Sequence, residues 1–317
     1  MGMLGEMPLL FGAPVRTWLT PLWTVGIGAL VVIVVLGLAG MLLRLIAPKV
    51  AAVAQTTSKE GMAQPLFYVI VAVGVFLLIL FPFVPYNTFG EDVKMLKTEG
   101  LTLIKVLAIV LALWTASVSI ADEIEGRTAL TLLSKPINPT QFILGKFLGI
   151  LGPVVVLFLV LGVVFLATAS YKVVYDARET ASPDPTSADC MREMLQVAPG
   201  LGLAFMETVI LAAVSVAIST RLPMLPNLIL CASIYALGHL VPVLVTSLAR
   251  QFPLVSFAGW LLAAVLPGLE HFNMETSIST GQFVPVAYLV AAAVYCLLYT
   301  LAALLVALLL FEDRDLA

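Results

Sequence analysis

The first candidates for chemistry are four charged residues in one short stretch, Asp122, Glu123, Glu125 and Arg127. They interrupt two long apolar segments. Acids placed close to a guanidinium can form charge-assisted hydrogen bonds that fix one structural element to another. The alternative is a solvated helix end, where exposed pairs contribute only ~0–1 kcal/mol. We favour a structural role for this cluster within a unit that transmits motion.

A short amphipathic helix is predicted directly after the cluster, at about residues 127–135. Leu130, Leu133 and Ile137 recur at i, i+3 and i+7 and form one apolar stripe. Hydroxyl and basic side chains face elsewhere on this helix: Thr128, Thr131, Ser134 and Lys135. Pro136 stops the helix, and Asn138-Pro139 has the N-cap and first-turn pattern of a new one. A rigidly held helix could transmit a push; the alternative is an interfacial helix that anchors the loop.

Two ionisable residues lie alone inside apolar stretches, where such groups are costly and often functional. Glu207 could line a transport path, or it could lie near the outer interface and pair with Arg192 or another polar neighbour. His239, next to Gly238, could carry a proton or bind a metal, but we favour a hydrogen-bonded histidine in helix packing. Glu270-His271 has no second pair at metal-ligand spacing and predicts no site.

The sequence contains no combination of residues that predicts an enzyme. It has no His-Glu-x-x-His, no Gly-x-Gly-Asp and no plausible Ser–His motif. Gly145-Lys146 is followed by Phe147 and lacks the upstream glycine of a phosphate-binding loop. Three widely separated cysteines suggest neither disulfides nor a metal cluster: Cys190, Cys231 and Cys296. We therefore predict no catalytic residue, no cofactor and no metal site.

The amino-acid composition indicates that transmembrane helices hold these residues in place. Of 317 residues, 61% are hydrophobic and only 11% are charged, whereas soluble domains carry about 25% charge. Several apolar runs reach the ~20 residues needed to cross a bilayer. The sequence predicts an all-α, polytopic membrane helix bundle with about seven transmembrane helices. The predicted spans are about 21–46, 65–86, 101–121, 139–170, 200–220, 227–248 and 284–310.

The segments between the spans are polar, with one exception. Residues 47–64 are predicted as a polar link, and 171–199 as the longest polar loop. Residues 252–268 are apolar but short, which favours a re-entrant or surface segment over a full crossing. Lys and Arg are shared almost evenly between the two sides, so the positive-inside rule barely decides the orientation.

One stretch, residues 117–149, carries a resemblance to a known family. It contains an acidic pair followed by Gly126, then Thr128, then Leu132-Leu133-Ser134-Lys135-Pro136, then Gly145-Lys146. This order resembles permease subunits of the ABC-2-type transporter family, in which such elements surround a cytosolic coupling helix. The later spans fit the family more loosely, and the first span departs from its usual six-span plan.

The resemblance implies a function, an orientation and partners. It places the amphipathic helix in the cytoplasm, the N-terminus outside and the C-terminus inside, in a multi-pass protein of the cell inner (plasma) membrane. It implies a permease subunit of an ATP-driven transporter, with export as the expected direction, driven by a separate ABC ATPase subunit. A homodimer or a heterodimer with a second permease is expected. The residues assigned to coupling with the ATPase are Glu123, Glu125, Gly126, Arg127, Thr128, Leu130, Leu133, Ser134, Lys135 and Pro136.

Further expectations concern the domains and the remaining partners. Residues 1–64 would form a lead, an extra transmembrane helix and a cytosolic link, and 65–317 the permease domain. Gly145, Gly149 and Gly152 put small residues near one face, which favours a close helix contact, such as one between two subunits. The apolar spans make the lipid bilayer a partner. A net charge of −3 without a basic patch predicts no nucleic-acid partner. The alternatives are a non-transporting ABC membrane subunit in mechanical signalling or assembly, and an intramembrane enzyme.

Overall fold

The chain forms a helical bundle, which confirms the predicted all-α class. The computed structural model describes residues 9–10, 13–84, 92–125, 138–181, 183–248, 257, 259, 261–263 and 265–315. Within these ranges seven helices are long and apolar enough to cross a membrane, so this is a multi-pass membrane protein. Their apolar cores agree with the seven predicted spans.

Long and short helices follow one another along the described part of the chain. They are α1 (Val15–Leu19), α2 (Leu22–Ile46), α3 (Pro48–Ala63), α4 (Pro65–Leu80), α5 (Asp92–Glu125), α6 (Pro139–Glu179), α7 (Ser187–Ser219), α8 (Met224–Leu248), α9 (Glu275–Ser279) and α10 (Val286–Asp315). Two 3-10 helices lie at Phe81–Phe83 and Leu269–Phe272. Two-residue strands at Leu9–Leu10 and Ala13–Pro14 pair antiparallel before α1.

Proline sets the start of several helices because its missing N–H costs nothing in the first turn. Pro48, Pro65 and Pro139 begin α3, α4 and α6. At α6 the backbone N–H of Asn138 donates to Gln141 Oε1 at 3.3 Å. The predicted helix restart at Asn138-Pro139 is therefore confirmed.

Most of the predicted polar link at residues 47–64 is helical and forms α3. This helix packs along the first half of α6. A Cβ added at Gly149 would lie 2.5 Å from Thr57 Cβ, and one at Gly145 would lie 2.6 Å from Val53 Cβ. The small residues of α6 thus admit α3 of the same chain, and this face is not free for a second subunit.

Adding a side chain at this face should separate the two helices. For Gly149→Val we expect a loss of about 1–3 kcal/mol, because overpacking forces a backbone shift. Gly28→Val is the matched control, since nothing lies within 4 Å of a Cβ added on α2. Thermal unfolding of the detergent-solubilised protein measures the difference. Equal midpoints for the two variants would contradict the packing described.

The core lies where α5, α6 and α7 meet. Leu111, Ile150 and Leu211 are completely buried there. By contrast, α2 buries none of its residues within the described part of the chain, although it is apolar around its whole circumference. A helix that is hydrophobic on every side and has no protein cover suits contact with lipid.

Three helices extend beyond their predicted spans. α5 begins at Asp92 instead of about 101, α6 continues to Glu179 instead of about 170, and α7 begins at Ser187 instead of about 200. The predicted long loop at 171–199 therefore shrinks to a few residues. The reason is pairing between helices: charges that end an apolar run in the sequence find partners inside the bundle.

Two pairs illustrate this extension. Lys97 on α5 forms an ion pair with Glu193 on α7 and donates to Gln196 Oε1 at 2.9 Å. Lys172 on α6 lies 3.3 Å from Asp92 Oδ2. Both lysines are almost completely buried. A buried ammonium that is paired and hydrogen-bonded can continue a helix past the apolar run.

Candidate functional site

The predicted coupling residues lie at the junction of α5 and α6. Glu123 and Glu125 belong to the last turns of α5, but their side chains are outside the described part of the structure. The other eight lie outside the described residues: Gly126, Arg127, Thr128, Leu130, Leu133, Ser134, Lys135 and Pro136. The coupling helix therefore stays a prediction.

The two helices that flank this junction are joined to each other. Lys146 Nζ on α6 donates to Ser119 Oγ on α5 at 3.0 Å, and Lys146 is 2% exposed. The bond lies two turns inside each helix from the junction. Any element mounted between α5 and α6 would thus rest on two helices that are packed and hydrogen-bonded to each other.

The other predicted pair, Glu207 and His239, comes together in the structure. His239 Nε2 on α8 lies 2.8 Å from Glu207 Oε1 on α7, and Glu207 is completely buried. Arg192, the alternative partner for Glu207, lies fifteen residues earlier on the same helix, or about 22 Å along its axis. That specific alternative is wrong, whereas the alternative of a polar neighbour and the expectation of a hydrogen-bonded histidine are confirmed.

The imidazole of His239 bridges two carboxylates from different elements. Its Nδ1 lies 3.3 Å from Glu270 Oε2, in the 3-10 helix Leu269–Phe272. The side chains of His239 and Glu270 are 21% and 40% exposed, so water reaches this end of the bridge. The bridge joins a fully buried acid in the bundle to a partly exposed acid in the segment before α10.

A lysine extends the network to a third acid. Lys105 Nζ on α5 lies 2.8 Å from Glu275 Oε1 on α9 and 3.9 Å from Glu207 Oε2. Thr102 Oγ1 donates to the other oxygen of Glu275 at 3.0 Å. We call the set Lys105, Glu207, His239, Glu270 and Glu275 the outer ion network, a name that follows the orientation implied by the resemblance.

The buried acid of the outer ion network, Glu207, lies within a candidate span. Glu207 is fourteen residues from Arg221, which places it about 21 Å along the helix from that end. The hydrocarbon core is about 30 Å thick. A carboxylate at this depth needs compensating charge, and Lys105 and His239 supply it.

Charge and hydrogen bonding within the outer ion network are not fully balanced. Three carboxylates face one lysine and one histidine, and Glu207 Oε2 has no hydrogen-bond partner within the described residues. Ionised carboxylates only accept hydrogen bonds, so two such bonds from His239 require an N–H on both ring nitrogens, which is one proton more than a neutral imidazole carries.

Close packing brings the segment before α10 onto α8. A Cβ added at Gly238 would lie 2.9 Å from both Leu269 Cγ and Pro267 O, so this position needs glycine. Leu269 and Phe272 are buried at 0% and 4% exposure. The backbone N–H of Gly268 also donates to Tyr295 Oη on α10 at 2.8 Å. We call residues 266–280 the outer segment.

The apolar run before the outer segment is described only in part. Residues 261–263 are helical, and Leu266 N–H donates to Leu262 O at 2.8 Å. The helix then ends, and the 3-10 helix Leu269–Phe272 follows after a short irregular stretch. The prediction that 252–268 re-enters the bilayer instead of crossing it stays a prediction.

A second polar cluster lies near the opposite end of the bundle. Asn227 Nδ2 on α8 lies 2.6 to 2.9 Å from three serine hydroxyls: Ser117, Ser215 and Ser219. An amide has only two N–H hydrogens, so it serves two of these serines at a time. The cluster joins α5, α7 and α8 on the side of the coupling junction.

A group of acids next to Lys172 has a simple structural explanation. Single carboxylate oxygens of Asp92, Asp176 and Glu179 lie within 4.8 Å of one another. Lys172 Nζ lies 3.3 Å from Asp92 Oδ2 and 3.6 Å from Glu179 Oε2, and it donates to Pro82 O at 3.2 Å. The ammonium pairs with two of these acids and so explains why they lie close together.

Two members of the outer ion network, Lys105 and Glu275, were not considered from the sequence, and a third, Glu270, was considered together with His271 but predicted no site. Lys105, Glu270 and Glu275 lie at or beyond the predicted span ends, where charges are common. The available signal was complementary charge, since two acids in the loop before the last span match two isolated basic side chains, Lys105 and His239, in the spans.

No protein-family model and no curated protein matches this chain.

Proposed function

We propose that this chain is the membrane permease subunit of an ATP-driven ABC transporter, with export as the expected direction. The observation that carries the proposal is the order of residues between α5 and α6: an acidic pair, Gly126, Thr128 and the run ending at Pro136. Such a segment suits a coupling helix because both flanks are helices joined by Lys146 and Ser119.

A single helix could carry motion from this junction to the outer ion network. α5 runs from Asp92 to Glu125 without proline. Lys105 lies twenty residues before Glu125, or about 30 Å away along the helix. A push on the coupling helix would move the inner end of α5, and the same helix would displace Lys105 relative to Glu207 and Glu275.

The outer segment would act as an external gate in this mechanism. It is held by Glu270 and Glu275 through ion pairs and by Leu269 and Phe272 through apolar packing. Displacement of α5 would weaken the pairs and let the segment move. Glu207 would then line the opened path, and the few charges in the spans favour an apolar or amphipathic cargo.

ATP would be hydrolysed by a separate subunit. The sequence has no phosphate-binding loop, so the chain itself supplies no nucleotide site. Two permease halves would form the pathway, as a homodimer or with a second permease, in the plasma membrane. The ATPase would dock on the residues from Glu123 to Pro136.

Co-purification tests this proposal. The tagged chain, extracted from its own cells in mild detergent, is expected to carry an ATPase with a phosphate-binding loop, identified by mass spectrometry. Charge reversal by Arg127→Glu should reduce ATP hydrolysis in the extract without reducing the amount of the membrane chain. Arg44→Glu, at the end of α2, is the matched control. Recovery of the chain without any ATPase would overturn the proposal.

A further inference from the structure

The bridge between α8 and the outer segment is one imidazole, that of His239, placed between two carboxylates. Glu207 Oε1 and Glu270 Oε2 lie on opposite sides of one imidazole, at 2.8 and 3.3 Å. A neutral imidazole has one N–H and one bare nitrogen. With both acids ionised, it can donate to only one of them, and its bare nitrogen then repels the other carboxylate.

We propose that Glu207, His239 and Glu270 form a proton-binding latch on the outer face of the bundle. Uptake of one proton fastens the outer segment to α8, and release of that proton frees it. The ligand of this site is the proton itself, which exchanges with water on the side where Glu270 is 40% exposed. The latch belongs to this chain alone and does not depend on an ATPase.

The surroundings of His239 determine the sign of the effect. The charged and titratable groups that face the bridge are Lys105 from α5, Glu207 from α7, Tyr235 from α8, Glu270 and Glu275 from the outer segment, and Tyr288 from α10. When the proton leaves, three carboxylates share only the charge of Lys105. The N–H that remains on His239 stays with Glu207, the closer acid, so the bare ring nitrogen faces Glu270 and repels its carboxylate. The outer segment should therefore loosen as pH rises.

The outer segment is the element that can respond. Glu207 is fixed within α7, whereas Glu270 lies in a four-residue 3-10 helix between turns. The other attachments of the segment are the apolar anchors Leu269 and Phe272, the bonds of Glu275 to Lys105 and Thr102, and a few hydrogen bonds to α10. Loss of one charge-assisted hydrogen bond should raise the equilibrium constant for opening of such a short segment on the order of tenfold.

One substitution keeps both hydrogen bonds of His239 without requiring the extra proton. In Glu270→Gln the side-chain amide can donate to the bare nitrogen of a neutral imidazole, while the other ring N–H donates to Glu207. Both bonds then form without the extra proton. This variant should hold the outer segment closed at every pH. His239→Leu removes both bonds and should leave the segment loose at every pH.

Hydrogen–deuterium exchange of the purified chain in nanodiscs measures the latch. Amides of residues 266–280 are followed at about pH 5.5 and about pH 8, which bracket histidine titration, with the intrinsic pH dependence of exchange removed. In the wild type we expect exchange on the order of tenfold slower at the lower pH. Glu270→Gln should be slow at both values and His239→Leu fast at both.

His271→Gln is the matched control, because His271 is the second of the two histidines in the chain. It should keep the wild-type pH response. Equal wild-type exchange at the two pH values would overturn the latch, as would a pH response that survives in His239→Leu or Glu270→Gln. A response lost in His271→Gln would assign the effect to the other histidine. Because no ATPase is present, these outcomes are independent of the proposed transport function.

Discussion

Replacement of Glu207 by leucine is expected to destabilise the bundle by about 3–5 kcal/mol, the usual cost of leaving a buried partner charge uncompensated. Glu207 is completely buried, and its two oxygens face Lys105 and His239. Without it, Lys105 retains only Glu275 and His239 retains only Glu270, and both of these acids are more exposed than Glu207. Unfolding of the purified protein, followed by circular dichroism during heating or titration with a denaturing detergent, measures the loss.

Two further variants distinguish charge from packing. The double variant Lys105→Met, Glu207→Leu removes both charges and should recover part of the loss, since apolar replacement of a buried pair is often neutral. Glu193→Leu should cost less than Glu207→Leu, because the Glu193 side chain is 28% exposed whereas that of Glu207 is completely buried. A double variant no more stable than Glu207→Leu would show that lost charge balance is not the cause.

Leu133→Asp is expected to abolish coupling to the ATPase. Leu133 lies in the apolar stripe of the predicted helix, and a carboxylate buried in an apolar contact is costly. ATP hydrolysis by the co-purified complex should fall by about tenfold or more, as for truncation of an anchoring interface residue. The measurement is phosphate release from complexes adjusted to equal amounts of membrane chain.

Thr131→Asp provides the control for this change. Thr131 is predicted to face away from the stripe, so the same charge there should leave hydrolysis largely intact. Equal loss in both variants would argue against an amphipathic helix docked through its apolar side.

Hydropathy predicted the number of spans because each apolar run exceeds the length needed to cross a bilayer. It misplaced helix ends wherever a charge had a partner on another helix. Lys172, for example, ends an apolar run in the sequence but is buried against Asp92 in the bundle. α3 was missed for a related reason: its composition is polar, although one of its faces packs against Gly145 and Gly149 of α6.

The candidate site was predictable residue by residue but not as an arrangement. Glu207 and His239 stood out because ionisable groups are rare in apolar runs. Their contact depends on how α7 and α8 face each other, which periodicity does not determine. Glu270 had no signal of its own, because an acid in a polar loop is ordinary until a buried cation is found beside it.

The central claim is that an ATPase acting at the junction of α5 and α6 moves the outer segment. The most direct test is hydrogen–deuterium exchange on the co-purified complex in nanodiscs, with and without ATP and vanadate, at one fixed pH. We predict that trapping the ATPase changes the exchange of residues 266–280 and that Leu133→Asp removes the change. An ATPase that hydrolyses ATP in the complex while exchange throughout the membrane chain stays the same would contradict the claim.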